Sequence, residues 1–533
     1  MKRNILIIIA LLTLNIASAQ DFFNALRYSQ TEYGGSARSI AMGSAFGALG
    51  GDFASASINP AGLGFYRASE FAFTPSLNIN QINSSYLGNN ESEDRYRAVI
   101  SNLSYVATVN TNSNSGLVSI SFGAGLNRLK NFHSNSYIQG FEAKTSLLSY
   151  YTDYANDIGN PESFNGHYEG LVWDTWLIDE DPDPNVIEGV YYNDLTDYAD
   201  YEIYDSNNNL LGIGYEATGI RAHQQKRISS RKGYIDEYLM SIGLNINHKL
   251  YLGASLGLTD LNYQTSVIYT EIDNLNKSDY LSDYKLNTET TESGVGVNFK
   301  TGIIYRPFKS LRLGASFHTP TFYEMTFYEE KTVKANYDQA IGNEELGFKN
   351  NWESSNSIRY NYNLATPSKI NLSAAYSLSD KALFSVDYEM VNYAKAKIRE
   401  AGDGYDYSDQ NSDINNALKA TGNLRVGAEV RVSPNISLRG GYNYYGNPWQ
   451  TTFEYRDGSS IDIANSNDIY MAYTGGLGFR QKHFFIDFAY RLNQLSYVEK
   501  VHEIFYTNPN NGSALAKINE FNHQATITLG FRF

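Results

Sequence analysis

The chain lacks three features that mark common classes of protein. It has no cysteine, which excludes a disulfide framework, a thiolate metal site and lipoprotein acylation. After its first twenty residues it has no apolar run long enough for a transmembrane helix, and its mean hydropathy is −0.40. It also has little basic charge: 42 Lys and Arg against 57 Asp and Glu give a net charge of −15, which argues against nucleic acid as a partner.

The N-terminus has the three parts of an export signal. Lys2 and Arg3 precede an apolar run over residues 5–16, and Ala17, Ser18 and Ala19 form a small-residue cleavage site. The apolar run is shorter than the ~20 residues that a membrane-spanning helix needs, so a retained anchor is disfavoured. The sequence predicts a cleaved signal peptide over residues 1–19 and a mature protein that begins near Gln20.

A period of two near the C-terminus predicts membrane-spanning β-strands. Such strands alternate lipid-facing with lumen-facing residues, so each gives only a weak hydropathy signal. The residues expected to face lipid are Phe484, Ile486, Phe488, Tyr490, Leu492, Ile527, Leu529, Phe531 and Phe533. The chain carries 44 Tyr and 27 Phe, and interfacial aromatic girdles account for such abundance. Alternation alone also fits a soluble sheet with one wet face, so the connections between strands must decide.

Short turns alternate with long polar stretches along the chain, as in outer-membrane barrels. Counting between them predicts an all-β, transmembrane antiparallel barrel of about 14 strands over residues 69–533. The predicted long loops are 83–94, 130–233, 271–291, 331–355, 400–419, 448–467 and 504–518. The 130–233 loop is far larger than the others. Its aromatic residues, such as Trp173 and Trp176, favour a fold over the barrel mouth rather than disorder.

Residues 20–68 lie ahead of the first predicted strand and contain a Gly- and Ala-rich segment over 36–64. Small side chains let a backbone pack tightly in a confined space, so this segment is predicted to form a hatch, or plug, inside the lumen. A nucleotide-binding loop is disfavoured, because neither phosphate-binding glycine motif occurs and no lysine follows the glycines.

This segment resembles the N-terminal signature of the FadL-type family of long-chain fatty acid and hydrophobic-compound transporters. The matching residues are Arg38, Met42, Gly43, Asp52, Asn59, Pro60, Ala61 and Gly62. Residues 313–320, 365–372, 424–429 and 438–442 add weaker similarity in the same order along the chain. The resemblance implies an outer-membrane barrel with a lumenal hatch that takes up hydrophobic small molecules. In that family the ligand leaves sideways through a gap in the wall, next to a kinked strand.

The resemblance also sets expectations about partners. We expect a hydrophobic small-molecule ligand, contact with outer-membrane lipids, insertion by the barrel assembly machinery, and a monomer. A shuttle or scaffold that binds secreted proteins, and a passive porin, remain alternative functions. Phe531 and Phe533 are the expected assembly signal at the end of the last strand.

Signatures of catalysis or metal binding are missing from the sequence. The eight histidines show no ligand spacing, and no G-x-S-x-G nucleophile elbow occurs, so we expect no enzyme activity, metal or cofactor. Ionisable residues at membrane depth are tolerated where they pair or line water. Nine such residues are predicted to line the lumen, as a structural ladder in preference to a ligand site: Asp387, Glu389, Arg425, Glu429, Arg431, Arg439, Asp487, Arg491 and Arg532.

Overall fold

A computed structural model describes most of the chain after the predicted signal peptide. The described residues are 18–111, 113, 115–180, 185–204, 209–221, 223–343, 346–379, 381–402, 404–450, 452–454, 460–462, 469–502 and 514–533. The predicted signal peptide, apart from residues 18 and 19, lies outside them. Among the described residues, no helix is both long and apolar enough to cross a membrane.

The chain forms a closed antiparallel β-barrel of 14 strands, which confirms the predicted fold class. Each strand pairs with its neighbour in sequence, and the first strand pairs with the last to close the wall. The strands are β1 (Glu70–Tyr86), β2 (Asn89–Asn110), β3 (Leu117–Asn131 and Ser134–Ala143), β4 (His223–Ile246), β5 (Leu250–Ile272), β6 (Leu281–Tyr305), β7 (Leu311–His318 and Phe322–Asn343), β8 (Gly347–Ala365 and Lys369–Leu378), β9 (Ala382–Asn392 and Lys397–Glu400), β10 (Ala420–Arg431), β11 (Ile436–Tyr445), β12 (Ile469–Arg480), β13 (Phe484–Lys500) and β14 (Leu515–Arg532).

Side chains alternate across the wall as the period of two predicts. In β13, Ile486 and Phe488 point outward and are 42% and 41% exposed, whereas Asp487 and Arg491 point inward and are 1% and 2% exposed. An apolar exterior around a polar interior is the reverse of a soluble protein, and it suits a barrel immersed in lipid. Phe533, at the end of the last strand, also lies on the exterior.

Several strands are longer than the sequence predicted. The expected loops at 83–94 and 331–355 are wrong. Strands β1 and β2 meet at a turn that consists only of Leu87 and Gly88. Strand β7 continues to Asn343, and β8 begins at Gly347. Residues 89–95 are polar or charged, so these outer strand ends lack the apolar alternation that marks the membrane-spanning part. The wall therefore projects beyond the lipid on the long-loop side.

The wall is irregular in two places. In β3, Phe132 and His133 separate the two segments, and pairing between β2 and β3 ends at Asn102 and Asn127. The upper segment of β3 pairs with β4 and packs inside the β1–β2 hairpin, so β2 from Asn89 to Ser101 lacks this neighbour. Strands β7, β8 and β9 are each interrupted as well, β7 and β8 at Pro320 and Pro367, where proline removes a ladder donor.

The large loop folds into a cap over the long-loop end of the barrel. We use "cap" for the described residues between 144 and 221; they include the helices α4 (Leu147–Ile158) and α5 (Glu169–Trp173) and the hairpin of Thr196–Tyr204 with Leu210–Ile220. Leu148 and Val172 of the cap share one apolar cluster with wall residues such as Tyr284 and Val333. The described part of this loop is folded, as its aromatic residues led us to expect, and β3 and β4 extend into its predicted ends.

The segment before β1 lies inside the barrel. It contains α1 (Ser18–Ser29), α2 (Ala37–Ala41), α3 (Ser55–Ile58) and a 3-10 helix over Pro60–Phe65. We call residues 22–66 the hatch. Another short helix, α6 (Ser408–Ala417), folds inward from the β9–β10 connection and contacts α1.

The position of a lipid-facing residue along the barrel predicts how much an introduced charge destabilises the protein. Ile527→Arg places a charge on the lipid-facing side of β14 and should destabilise the barrel by ~2–4 kcal/mol, whereas Val432→Arg, at the short-turn rim, should cost about 0–1 kcal/mol. Both native side chains are exposed, at 45% and 56%. Denaturant unfolding in lipid vesicles measures the two costs, and equal costs would show that the membrane band is misplaced.

Candidate functional site: a plugged lumen and its apolar chamber

The hatch fits the lumen because both surfaces are made of small residues. Gly43 has a left-handed φ of 61°, and a Cβ there would lie 2.6 Å from Asn443 Oδ1 and 2.9 Å from Val426 O. On the wall, a Cβ at Gly427 would lie 2.3 Å from Met42 O. Strand glycines that face inward mark the hatch contact, and this signal was present in the sequence but not used.

A chain of four charges joins the hatch to the wall; Arg439 and Asp487 are buried, and Arg38 and Glu429 are partly buried. The Arg38 Nε donates to Glu429 Oε2 at 3.0 Å, and Arg439 Nε donates to the same oxygen at 2.6 Å. Arg439 Nη1 in turn donates to Asp487 Oδ1 at 2.5 Å. One residue of the predicted hatch motif, Arg38, thus binds one predicted lumen residue directly and is linked through it to two more, on strands β10, β11 and β13.

A second polar cluster forms around Arg425. Its guanidinium lies 3.4 Å from Glu389 and 3.9 Å from Asp387, and it stacks 4.7 Å from the ring centroid of Tyr33 in the hatch. The backbone N–H of Gly47 donates to Asp387 at 2.9 Å. The cluster thus combines charge pairing within the wall with direct contacts to the hatch.

The remaining residues of the hatch motif stabilise turns within the hatch itself. Asp52 accepts from the Ser36 hydroxyl at 2.5 Å and from the backbone of Ala54 at 3.0 Å. Asn59 caps the 3-10 helix by accepting from Ala61 N at 3.2 Å, and its amide donates to Gly47 O at 2.7 Å. The motif positions Met42, Pro60, Ala61 and Gly62 are all buried.

The other predicted lumen residues lie in less similar settings. Arg491 pairs with Glu32 of the hatch at 3.2 Å, whereas Arg532 pairs with Glu70 within the wall, at 2.7 Å. The prediction for Arg431 is wrong: its side chain is exposed at the short-turn rim, and none of the ion pairs in the described part of the chain includes it. In the alternation along β10, Arg431 occupies an inward-facing position, as predicted. However, β10 ends at this residue, and solvent surrounds the side chain.

Three polar residues of the wall that contact the hatch or one another were not predicted from the sequence. Glu237 in β4 contacts Lys300 of β6 and accepts from the hatch hydroxyl of Ser57 at 2.8 Å. Lys369 in β8 is also buried, and its ammonium donates to Ser29 O and Thr31 Oγ1 of the hatch at 3.1 and 2.7 Å. All three wall residues lie at inward-facing positions, which is the signal that would have found them.

Between the polar part of the hatch and the cap, the lumen becomes apolar and aromatic; we call this region the chamber, and α1 of the hatch packs into it. The chamber residues that α1 touches include Tyr263, Tyr323 and Tyr362, and α1 itself contributes Phe22 and Leu26. A cavity of about 40 Å³ remains at its base. The cavity is bounded by Tyr28, Leu129 and Tyr323 on the chamber side and by Lys300, His318 and Lys369 on the wall.

The cap is held over this chamber by hydrogen bonds as well as by apolar packing. Its Asp194 accepts from Ser278 Oγ and Leu281 N of the β5–β6 connection, at 3.3 and 3.2 Å. Burial raises the pKa of Asp194, and these two hydrogen bonds oppose that rise. Within the described residues, no group of three or more acidic or histidine side chains is arranged to hold a metal ion.

The protein is thus a β-barrel whose lumen is filled by its own N-terminal segment. The P. putida toluene transporter TodX has a similar structure: the TM-score is 0.50 at 12% identity, over 94% of this chain and 99% of that one. A Pseudomonas aeruginosa FadL homologue is also similar, with a TM-score of 0.50 at 11% identity, over 95% and 99% of the two chains. At these identities the likeness establishes a shared fold, and at that level it confirms the resemblance to the FadL-type family.

Two further comparisons gave no match. No family model matches the sequence. No curated protein matches it either.

Removal of the hatch should turn the plugged barrel into an open pore. Deletion of residues 21–64, with the signal kept, leaves Glu429 paired with Arg439 and Glu237 paired with Lys300, so the wall should still assemble. Planar-bilayer recording should show a large steady conductance for this variant. Arg38→Met keeps the Gly47 contact to Asp387 and should conduct far less. A truncated barrel that inserts and stays as silent as the intact protein would contradict the plug.

Proposed function

We propose that this protein is an outer-membrane channel that takes up hydrophobic small molecules. The observation that carries the proposal is the aromatic chamber inside the barrel, closed by the hatch below and the cap above. The structurally similar TodX is a toluene transporter, and the second similar structure is a FadL homologue, which agrees with this function. The role is transport rather than catalysis.

The proposed sideways exit from the chamber lies at the break in β3. Leu129 and Phe132 belong to the chamber lining and flank the break in β3, where β2 loses its neighbour. A hydrophobic molecule that leaves through this opening would pass from an apolar chamber into lipid without crossing water, which the hydrophobic effect favours. The FadL-type resemblance leads to the same exit, next to a kinked strand.

The same contacts favour a channel over the two alternatives. A passive porin needs an open aqueous lumen, whereas here the hatch is bound to the wall by partly buried ion pairs and by a buried hydrogen bond. A shuttle for secreted proteins needs a docking surface for a polypeptide, whereas the aromatic chamber lies inside the barrel, beneath the cap. We further propose a monomer that is inserted by the barrel assembly machinery, contacts outer-membrane lipids and begins near Gln20.

The base of the chamber suggests the ligand's chemistry. Lys369 is 7% exposed and borders the cavity, and its two hydrogen-bond partners are neutral oxygens of the hatch. None of the ion pairs in the described ranges includes Lys369. A buried ammonium gains most from a carboxylate, so the proposed ligand is an apolar molecule with a carboxylate end, such as a long-chain fatty acid.

Ligand binding to the purified protein tests both parts of this proposal. The native protein should bind a long-chain fatty acid more tightly than the alcohol of equal length. Lys369→Met should weaken only the acid, by about tenfold or more, because a hydrogen bond to a charged group contributes ~1.5–3 kcal/mol. Displacement of a dansyl-labelled fatty acid measures these affinities. Thr31→Val is the matched control: it removes one partner of Lys369, keeps the charge, and should leave acid binding intact.

Two results would count against the proposal at different levels. If neither acid nor alcohol bound to the native protein, the channel function itself would be wrong. If both bound and Lys369→Met weakened them equally, the carboxylate assignment would be wrong while the channel function stood.

A further inference from the structure

The cap joins the barrel at a single place. The chain leaves the wall after Ala143 at the end of β3 and returns at His223 at the start of β4, and these two residues face each other in register. Every other contact between cap and barrel is non-covalent, since the sequence has no cysteine. The cap is therefore a folded unit attached by one two-stranded hinge.

Near the hinge, the cap is bound through a buried wall carboxylate. Glu271 of β5 accepts from the hydroxyl of Ser146, the N-cap of α4, at 2.6 Å, and from Leu147 N at 2.9 Å. The wall also satisfies this carboxylate, because Tyr269 donates to it at 2.5 Å and Gln225 at 3.2 Å. Glu271 therefore keeps partners when the helix end moves away.

A second wall carboxylate binds the cap farther from the hinge. Glu329 of β7 lies 3.0 Å from His167 of the cap, and both side chains are almost fully buried. Thr290 donates to Glu329 at 3.0 Å and Lys331 lies 3.5 Å from it, so the wall again supplies its own partners. Separation of the cap therefore leaves both Glu271 and Glu329 with hydrogen bonds from the wall, and this lowers the cost of opening.

The far edge of the cap rests on the projecting ends of β7 and β8. Tyr337 donates to Thr175 O at 2.8 Å, and the Ser354 hydroxyl donates to Asp174 at 2.9 Å. These contacts lie at the end of α5, on strands that are not adjacent to the hinge strands β3 and β4. Hinge and far edge thus lie on different parts of the rim, as in a lid.

We propose that the cap is a gate, which swings on the Ala143–His223 hinge and admits ligand to the chamber when its far edge leaves β7 and β8. This inference rests on the proposed uptake function, because the cap covers the outer mouth and a solute from outside must pass it. When the cap lifts, its apolar underside and the aromatic strand ends, such as Tyr284, offer the hydrophobic solute a first binding surface.

Cross-linking the far edge tests the gate. The protein contains no cysteine, so thiols introduced as Asp174→Cys and Ser354→Cys are the only ones present. A short thiol-to-thiol cross-linker would then tie the cap to β8. The matched control is Asp200→Cys with Tyr215→Cys, which are register partners within the cap hairpin, so the same reagent ties the cap only to itself.

The rate at which dansyl-labelled fatty acid binds is the first readout. The far-edge pair should bind at least tenfold more slowly after cross-linking and at the native rate before it, while the control pair should bind at the native rate in both states. Native-rate binding by the cross-linked far-edge pair would overturn the gate and leave the channel function intact. An absence of binding in every sample would instead contradict the proposed function.

A second readout needs no ligand. The backbone N–H of Leu147 donates to Glu271 across the interface, so opening of the cap exposes this amide to hydrogen exchange. Exchange over residues 145–148 should slow at least tenfold on cross-linking the far edge and stay unchanged in the control. Equal exchange before and after cross-linking would overturn the gate whatever the binding data show.

Discussion

Partly buried ion pairs between the hatch and the wall fix the plug in the lumen, and the division of the lumen depends on them. Arg38 of the hatch shares Glu429 with Arg439 of the wall, and the chain of charges continues to Asp487. Removal of one partner from a buried pair typically costs about 3–5 kcal/mol, because the other charge is left in a poorly solvated site. The charges of the lumen are accordingly paired, mostly within the wall, and the hatch adds Arg38 and Glu32 to that set.

The hatch divides the lumen into a lower polar part and an upper apolar part. The hatch fills the lower lumen, where the wall is polar and lined by small residues such as Gly427 and Gly441. Above it the lining changes to aromatic and aliphatic side chains, and the cap closes the top with a second apolar cluster. The high content of Tyr and Phe thus has three uses: the lipid-facing exterior, the chamber and the underside of the cap.

Sequence periodicity predicted the wall well but predicted the contents of the lumen only in part. The strand count, the outward face of Ile486 and Phe488 and the inward face of Asp487 and Arg491 follow from a strict period of two. The strand ends beyond the lipid were missed, because residues 89–95 are polar on both faces and lose that period. The choice of charge partners was not predictable, since parity shows that a side chain points inward but not which strand or hatch residue it meets.

Arg431 and Lys369 illustrate the two kinds of error. Arg431 has inward parity but lies at a strand end, where solvent replaces the lumen. Lys369 was missed because it stands among neutral residues and its hatch partners, Ser29 and Thr31, are distant in sequence. In both cases the environment of the side chain depends on how deep the residue lies in the barrel. That depth is set by strand register and strand length, which the alternation of residues does not define.

The most direct test of the central claim is mass spectrometry of the small molecules that stay bound when the barrel is extracted from membranes in mild detergent and purified. If the lumenal chamber is a site for hydrophobic compounds, the intact protein should carry near-stoichiometric apolar molecules, and free or ester-linked fatty acids should be enriched over their content in the bulk membrane extract. A purified barrel that holds only detergent and membrane lipids, in the proportions found in the membrane, would contradict the account.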